Sequence, residues 1–136
     1  MSLRNDWTFE EIQAIYHKPL LDLVYEAATV HRNNNIASDV QICTLLSVKT
    51  GGCTEDCAYC PQAARYNTGL KAHKLLDVDD VLSKAQEAKE NGSTRFCMGA
   101  AWREMRDNRD FEKVLDMVKG VNQIGLEVCC TMGMLT

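Results

Sequence analysis

Two short stretches in the second half of the chain repeat one order of events. Asn91–Gly99 reads NGSTRFCMG and Ile124–Gly133 reads IGLEVCCTMG; each runs from a glycine through a strand-like segment with cysteine to Met-Gly. The glycine suits the end of a helix and the segment after it suits a strand. Between the echoes, Phe111, Val114, Leu115, Val118 and Val121 recur at helical spacing, with Gly125 as the stop. Strands that alternate with helices form βαβ units and pair in parallel. The fold class expected is therefore α/β.

The same alternation extends upstream. VQICTLLSVKTGG, from Val40, reads as a strand running into a glycine-containing loop, and a helix is predicted from Val78 to Asn91, with Asp77 as its cap and Gly92 as its stop. The start of the chain is helical: Thr8-Phe9-Glu10-Glu11 has the form of a capping box, in which hydroxyl and carboxylate each satisfy a backbone N–H. Pro19 fits the first turn of a second helix through Leu20, Leu23, Val24 and Ala27 to about Arg32, ended by Asn33-Asn34-Asn35. Residues 1–38 thus read as an N-terminal helical extension and 39–136 as the alternating part. That pattern suits the opening of a (β/α)8 barrel of TIM type, which needs eight strands and usually about 250 residues. With 136 residues and a third strand at its end, the chain is expected to hold a barrel truncated after that strand.

Composition removes several classes of function. Hydrophobic residues at 46% and charged residues at 25% are the balance of a soluble globular protein. A net charge of −4 gives no footprint for nucleic acid. No apolar run approaches the roughly 20 residues needed to span a bilayer, so no membrane partner is expected. MSLRNDWTFEE lacks the apolar core of a secretory signal. Seven cysteines without such a signal point to a reducing compartment, the cytoplasm, where thiols are free, catalytic or metal-bound.

Three of those cysteines crowd into GGCTEDCAYCP, as Cys53, Cys57 and Cys60 in C-x3-C-x2-C spacing. Thiolates select zinc or iron–sulfur clusters. Structural zinc prefers two separated pairs that close a tetrahedron, and no second pair is visible here. Three thiolates on a [4Fe–4S] cube hold three irons and leave the fourth open to a substrate or cofactor. Three unligated buried cysteines are the plainer alternative, and the polar loop around them (Thr54, Glu55, Asp56) suits a core poorly.

C-x3-C-x2-C with an aromatic before its last cysteine resembles the radical S-adenosylmethionine (SAM) enzymes. The words KPLLDLVYEAATVHR, TLLSVKTGGCTEDCAYCPQAARYNTGL, GSTRFCMGAAWR and GLEVCCTMGML resemble the biotin synthases, from Trp7 to the last residue. The resemblance implies a barrel-housed sulfurtransferase that inserts sulfur into dethiobiotin to form biotin. It implies a [4Fe–4S] cluster on Cys53, Cys57 and Cys60, with SAM on the open iron and a flavodoxin- or ferredoxin-type electron donor. A [2Fe–2S] cluster would donate the sulfur, with Cys97 and Cys129 among its ligands; a third cysteine and a basic residue would come from further strands. Tyr59 matches the position beside the adenine of SAM, and Gly99-Ala100 the backbone that meets its methionyl group. A homodimer is compatible with the family. The alternatives are another radical SAM enzyme of related architecture, or a non-catalytic iron–sulfur or metal-binding module.

Strand parity bears on the same cysteines. Cys97 shares a face with Arg95, opposite Phe96 and Met98; Glu127, Cys129 and Thr131 share a face, opposite Val128, Cys130 and Met132. In a barrel the first set faces inward and Phe96 and Met98 pack on helices. Parity thereby favours Cys129 over Cys130. Taken alone, a strand cysteine is usually a small core hydrophobe, and Cys43 and Cys130 are read as core or spectator thiols. As isolated features, Tyr59 also fits loop packing and Gly99-Ala100 a plain strand end. His17, His31 and His73 have no ligand spacing, and Lys49 and Arg65 are solvated loop charges or partners of an anionic cluster.

Overall fold

The structure is a computed structural model that describes residues 4–134. The chain divides into two compact units, Met1–Val40 and Gln41–Thr136.

The first unit holds two helices, α1 (Phe9–Tyr16) and α2 (Leu20–Asn34). The capping box at α1 is present: Glu11 N–H donates to Thr8 Oγ1 at 3.3 Å, and Thr8 N–H to Glu11 Oε2 at 2.9 Å. Pro19 stands just before α2, at the N-cap position rather than in the first turn. The helix runs on to Asn34, two residues past the predicted end, because Asn35 N–H still reaches His31 O at 2.8 Å. Neither helix contains a buried residue.

The second unit is α/β, as the alternation predicts. β1 (Cys43–Lys49), α3 (Val78–Glu90), β2 (Arg95–Ala100), α4 (Arg109–Ile124) and β3 (Glu127–Thr131) follow in order. The sheet has strand order β1-β2-β3, parallel throughout. Val48, Phe96 and Met98 point to one face and pack with Val81, Ala85 and Ala88 of α3 and Val114, Met117 and Val121 of α4. These apolar positions recur at strand and helix periods, so burying one face of each element builds a single core. Gly125 ends α4 at φ +92°, a left-handed conformation that spares it the clash a side chain would make. Asp77 occupies the N-cap position of α3 but makes no capping bond; its carboxylate instead accepts from Lys113 Nζ at 3.1 Å.

The opposite face of the sheet has three registered rows: Cys43–Arg95–Glu127, Leu45–Cys97–Cys129 and Ser47–Gly99–Thr131. Cys43, Leu45 and Ser47 are exposed, while Arg95, Cys97 and Cys129 are half-buried. The parity reading of β2 and β3 is therefore met in the sheet itself. Of the two readings of Cys43 and Cys130, the exposed spectator thiol holds and the core one does not: each stands on an edge strand. Among the described residues, no helix is long and apolar enough to cross a membrane.

Candidate functional site

The loop after β1 is closed on itself by main-chain bonds. Cys53 N–H donates to Gln62 O at 3.1 Å and Ala64 N–H to Cys53 O at 2.8 Å, so that Cys53 and Ala63 form a parallel bridge. Within it, Cys60 N–H reaches Cys57 O at 3.1 Å and Ala63 N–H reaches Cys60 O at 3.3 Å. Gln62 adds a side-chain clasp, accepting Gly51 N–H on Oε1 at 2.6 Å. Ala63, paired with Cys53 in that bridge, is buried. Cys53 and Cys60 are half-buried and Cys57 is exposed; all three are free.

Lys49 is more than a solvated charge. Its ammonium donates to Gly51 O at 2.7 Å and Ala101 O at 3.0 Å, which ties the loop to the end of β2. Arg65 is turned to Asp56 at 2.9 Å, an exposed ion pair of small energetic weight.

Loop and sheet enclose a cleft of about 570 Å³. Cys53, Cys57, Cys60 and Tyr59 line one side; Ser47, Gly99 and Thr131, from the strand row nearest the C-terminal ends, line the other. Ala100 continues this wall into Trp102 and Arg103. A crevice outside the carboxyl ends of parallel strands is where α/β sheets bind ligands. Six of the residues singled out from sequence, Cys53, Cys57, Tyr59, Cys60, Gly99 and Ala100, thus share one cavity. Tyr59 is 89% exposed, so it packs on nothing in the loop.

Cys97 and Cys129 lie one row further along, on the same sheet face. They are direct register partners, and Cys97 is pushed up from the ordinary thiol range by burial first, then by its hydrogen bond with Cys129 and the charges of Cys129 and Cys43. Arg95 opposes that rise. Its guanidinium donates to Glu127 Oε1 at 2.6 Å, and Glu127 Oε2 accepts from Gln41 at 2.6 Å. The Arg95 Nε is buried without a partner. Among the described residues, no group of three His, Cys, Asp or Glu side chains converges on a single metal-ion position.

The donor chemistry fits clusters better than a lone ion. Soft thiols that line a cavity separately suit a group presenting several irons. Beside Cys97 and Cys129, the orphaned Arg95 N–H suits an anionic, sulfide-bearing group, since a buried donor without an acceptor is costly.

No family model matches the chain. Individual proteins do. A protein named biotin synthase from Cytophaga hutchinsonii is 69% identical over 134 residues, which is 98% of this chain and 40% of that protein. Along its whole length the chain is biotin-synthase-like. Biotin synthases from Myxococcus xanthus (57% over 136 residues, 100% of this chain and 39% of theirs) and Schizosaccharomyces pombe (58% over 134 residues, 98% and 37%) agree. The chain spans about two fifths of the length of the curated biotin synthases it matches. That share agrees with the expectation that this sequence holds only part of such a protein.

Several residues of the site were not singled out by sequence. Gln62 clasps the loop and Trp102 and Arg103 wall the cleft, yet none carries a spacing signal. Glu127 and Cys43 were visible by parity, but their roles beside Arg95 depend on which strands are neighbours.

Proposed function

We propose that this chain forms part of a biotin synthase, a radical SAM enzyme that inserts sulfur into dethiobiotin. The observation that carries this is the gathering of Cys53, Cys57, Cys60, Tyr59, Gly99 and Ala100 around one cleft. In this reading the three loop thiols hold a [4Fe–4S] cluster whose open iron takes SAM, and Cys97 and Cys129 hold a [2Fe–2S] cluster. When bound, the first cluster with SAM supplies hydrogen abstraction from unactivated carbon, and the second supplies sulfur. The sheet is the first part of a (β/α)8 barrel spanning residues 39–136, and residues 1–38 are a helical extension. The electron donor is of flavodoxin or ferredoxin type, and the assembly a homodimer.

The chain's own groups serve these ends in separate ways. The closed loop holds the thiols apart on one wall, and Lys49 fixes that wall against the end of β2. The exposed ring of Tyr59 offers a stacking face to a nucleobase. Gly99 and Ala100 carry almost no side chain, so a ligand can come close to the end of β2, while Trp102 and Met134 line the cleft with apolar surface that limits water.

Anaerobic reconstitution with iron and sulfide tests the reading. The reduced protein should give an EPR spectrum that changes on adding SAM, and alanine at Cys53, Cys57 or Cys60 should abolish it. Alanine at Cys97 or Cys129 should spare that signal and remove the additional visible absorption of the second cluster. A spectrum indifferent to SAM would indicate an electron-transfer or metal-binding module, and a four-iron cluster alone would indicate another radical SAM enzyme.

A further inference from the structure

Cys97 and Cys129 are placed as a disulfide pair as well as a ligand pair. They are register partners on neighbouring parallel strands, and such strands lie about 4.7–4.9 Å apart. That lies within the roughly 4.4–6.8 Å between Cα atoms that a disulfide accepts. Both thiols are half-buried, so a small thiol reagent reaches them.

The other thiols near them are excluded by geometry. Cys43 registers with Arg95, one row from Cys97, and such diagonal positions stand roughly 7–8 Å apart, beyond bridging range without backbone movement. Cys130 follows Cys129 directly, but successive strand residues point to opposite faces of the sheet. Cys53, Cys57 and Cys60 belong to the loop wall of the cleft, which Cys97 and Cys129 do not line.

We propose that, in the cluster-free protein, Cys97 and Cys129 close a reversible disulfide across β2 and β3 that bars iron from this face until a thiol reopens it. The oxidant is a small disulfide such as glutathione disulfide. One protein thiolate attacks it, forming a mixed disulfide and releasing one glutathione; the second protein thiolate then displaces the other glutathione. The balance is two protein thiols and one glutathione disulfide giving one protein disulfide and two glutathione thiols. Formation of the bond stands on the sheet geometry alone, whereas its effect on iron loading rests on the biotin synthase reading.

The test is to strip iron from the purified protein, treat it anaerobically with glutathione disulfide, block free thiols and map tryptic peptides. Expected is a crosslink between Phe96–Arg103 and the peptide beginning at Gly120, fragmenting to Cys129 rather than Cys130 and lost in Cys97→Ser and Cys129→Ser. Cleavage after Arg95, Arg103 and Lys119 keeps both apart from the Cys53–Cys60 peptide. Cys97 left free, or joined to Cys43 or Cys130, overturns the proposal. Iron and sulfide are then counted after reconstitution with and without prior dithiothreitol. The oxidised protein should lack the second cluster and regain it after reduction. A crosslink with no second cluster in either sample would sink the ligand reading and leave the disulfide standing. Equal second-cluster content in both samples, despite the crosslink, would sink the bar on loading.

Discussion

Arg95 of β2 donates to Glu127 of β3 at 2.6 Å, one row from the Cys97–Cys129 pair, and leaves its Nε buried and unpaired. The pair tempers the charge that Arg95 presents to the thiols. Glu127 is held below the usual carboxylate range, first by this bond, while Arg95 acts to lower the Cys97 thiol that burial raises. Replacing Glu127 with Gln should therefore free more of the Arg95 charge for Cys97. Iodoacetamide should alkylate Cys97 in the cluster-free protein faster than in wild type at a fixed neutral pH, with little change in thermal midpoint; slower alkylation would contradict the arrangement.

Sheet parity gives a stability contrast. Phe96 is fully buried against α3 and α4, so Phe96→Ala should cost about 3–5 kcal/mol in urea unfolding. Leu45, on the neighbouring strand but the other face, is 72% exposed, and Leu45→Ala should stay within about 0.5 kcal/mol. Equal costs at the two positions would mean that the faces are assigned wrongly.

Gly133 allows the cleft wall to close. It sits at φ +99°, and a Cβ there would come within 2.7 Å of the Trp102 and Arg103 carbonyl oxygens. Met134 N–H bonds Arg103 O at 2.7 Å beside it. Backbone cannot yield as a side chain can, so Gly133→Ala should destabilise by about 1–3 kcal/mol. It should also shift the Trp102 fluorescence maximum as the wall is displaced; a variant with native stability and emission would refute the contact.

The capping box at α1 has a definite pH signature. Glu11 is held below its ordinary value, first by the Thr8 N–H and then by Arg4. A carboxylate depressed in the folded state adds stability that is complete above its unfolded value, about 4.3, and is lost as pH falls through the lower folded value. The Thr8 amide resonance should report Glu11 titrating below about pH 4.3, and α1 should fray over that same window. Thr8→Ala should weaken α1 by about 1 kcal/mol at neutral pH. A Thr8 amide that titrates at the ordinary glutamate value would show the box to be open in solution.

Much of the fold was legible because it rests on local chemistry. The α1 cap, the Gly125 stop and the helical stripe ending at Val121 follow from short-range sterics and periodicity, and all are present. The boundaries that slipped did so for equally local reasons: the strand predicted from Val40 begins at Cys43, and Pro19 serves α2 from just outside it. Asp77 was chosen by residue type for a bond that Lys113, distant in sequence, draws it away from.

The site divides in the same way. The spacing of Cys53, Cys57 and Cys60 is a property of contiguous residues, so sequence alone determined that three soft ligands sit in one polar loop. The period of two along a strand determined that Cys129, not Cys130, shares the face of Thr131. Neither period nor spacing says which strands are neighbours or in what register, because pairing joins residues far apart in the chain. Only the tertiary structure could set Cys97 opposite Cys129 and Cys43 beside Arg95, and bring the loop thiols over Gly99 and Ala100 to make one cleft.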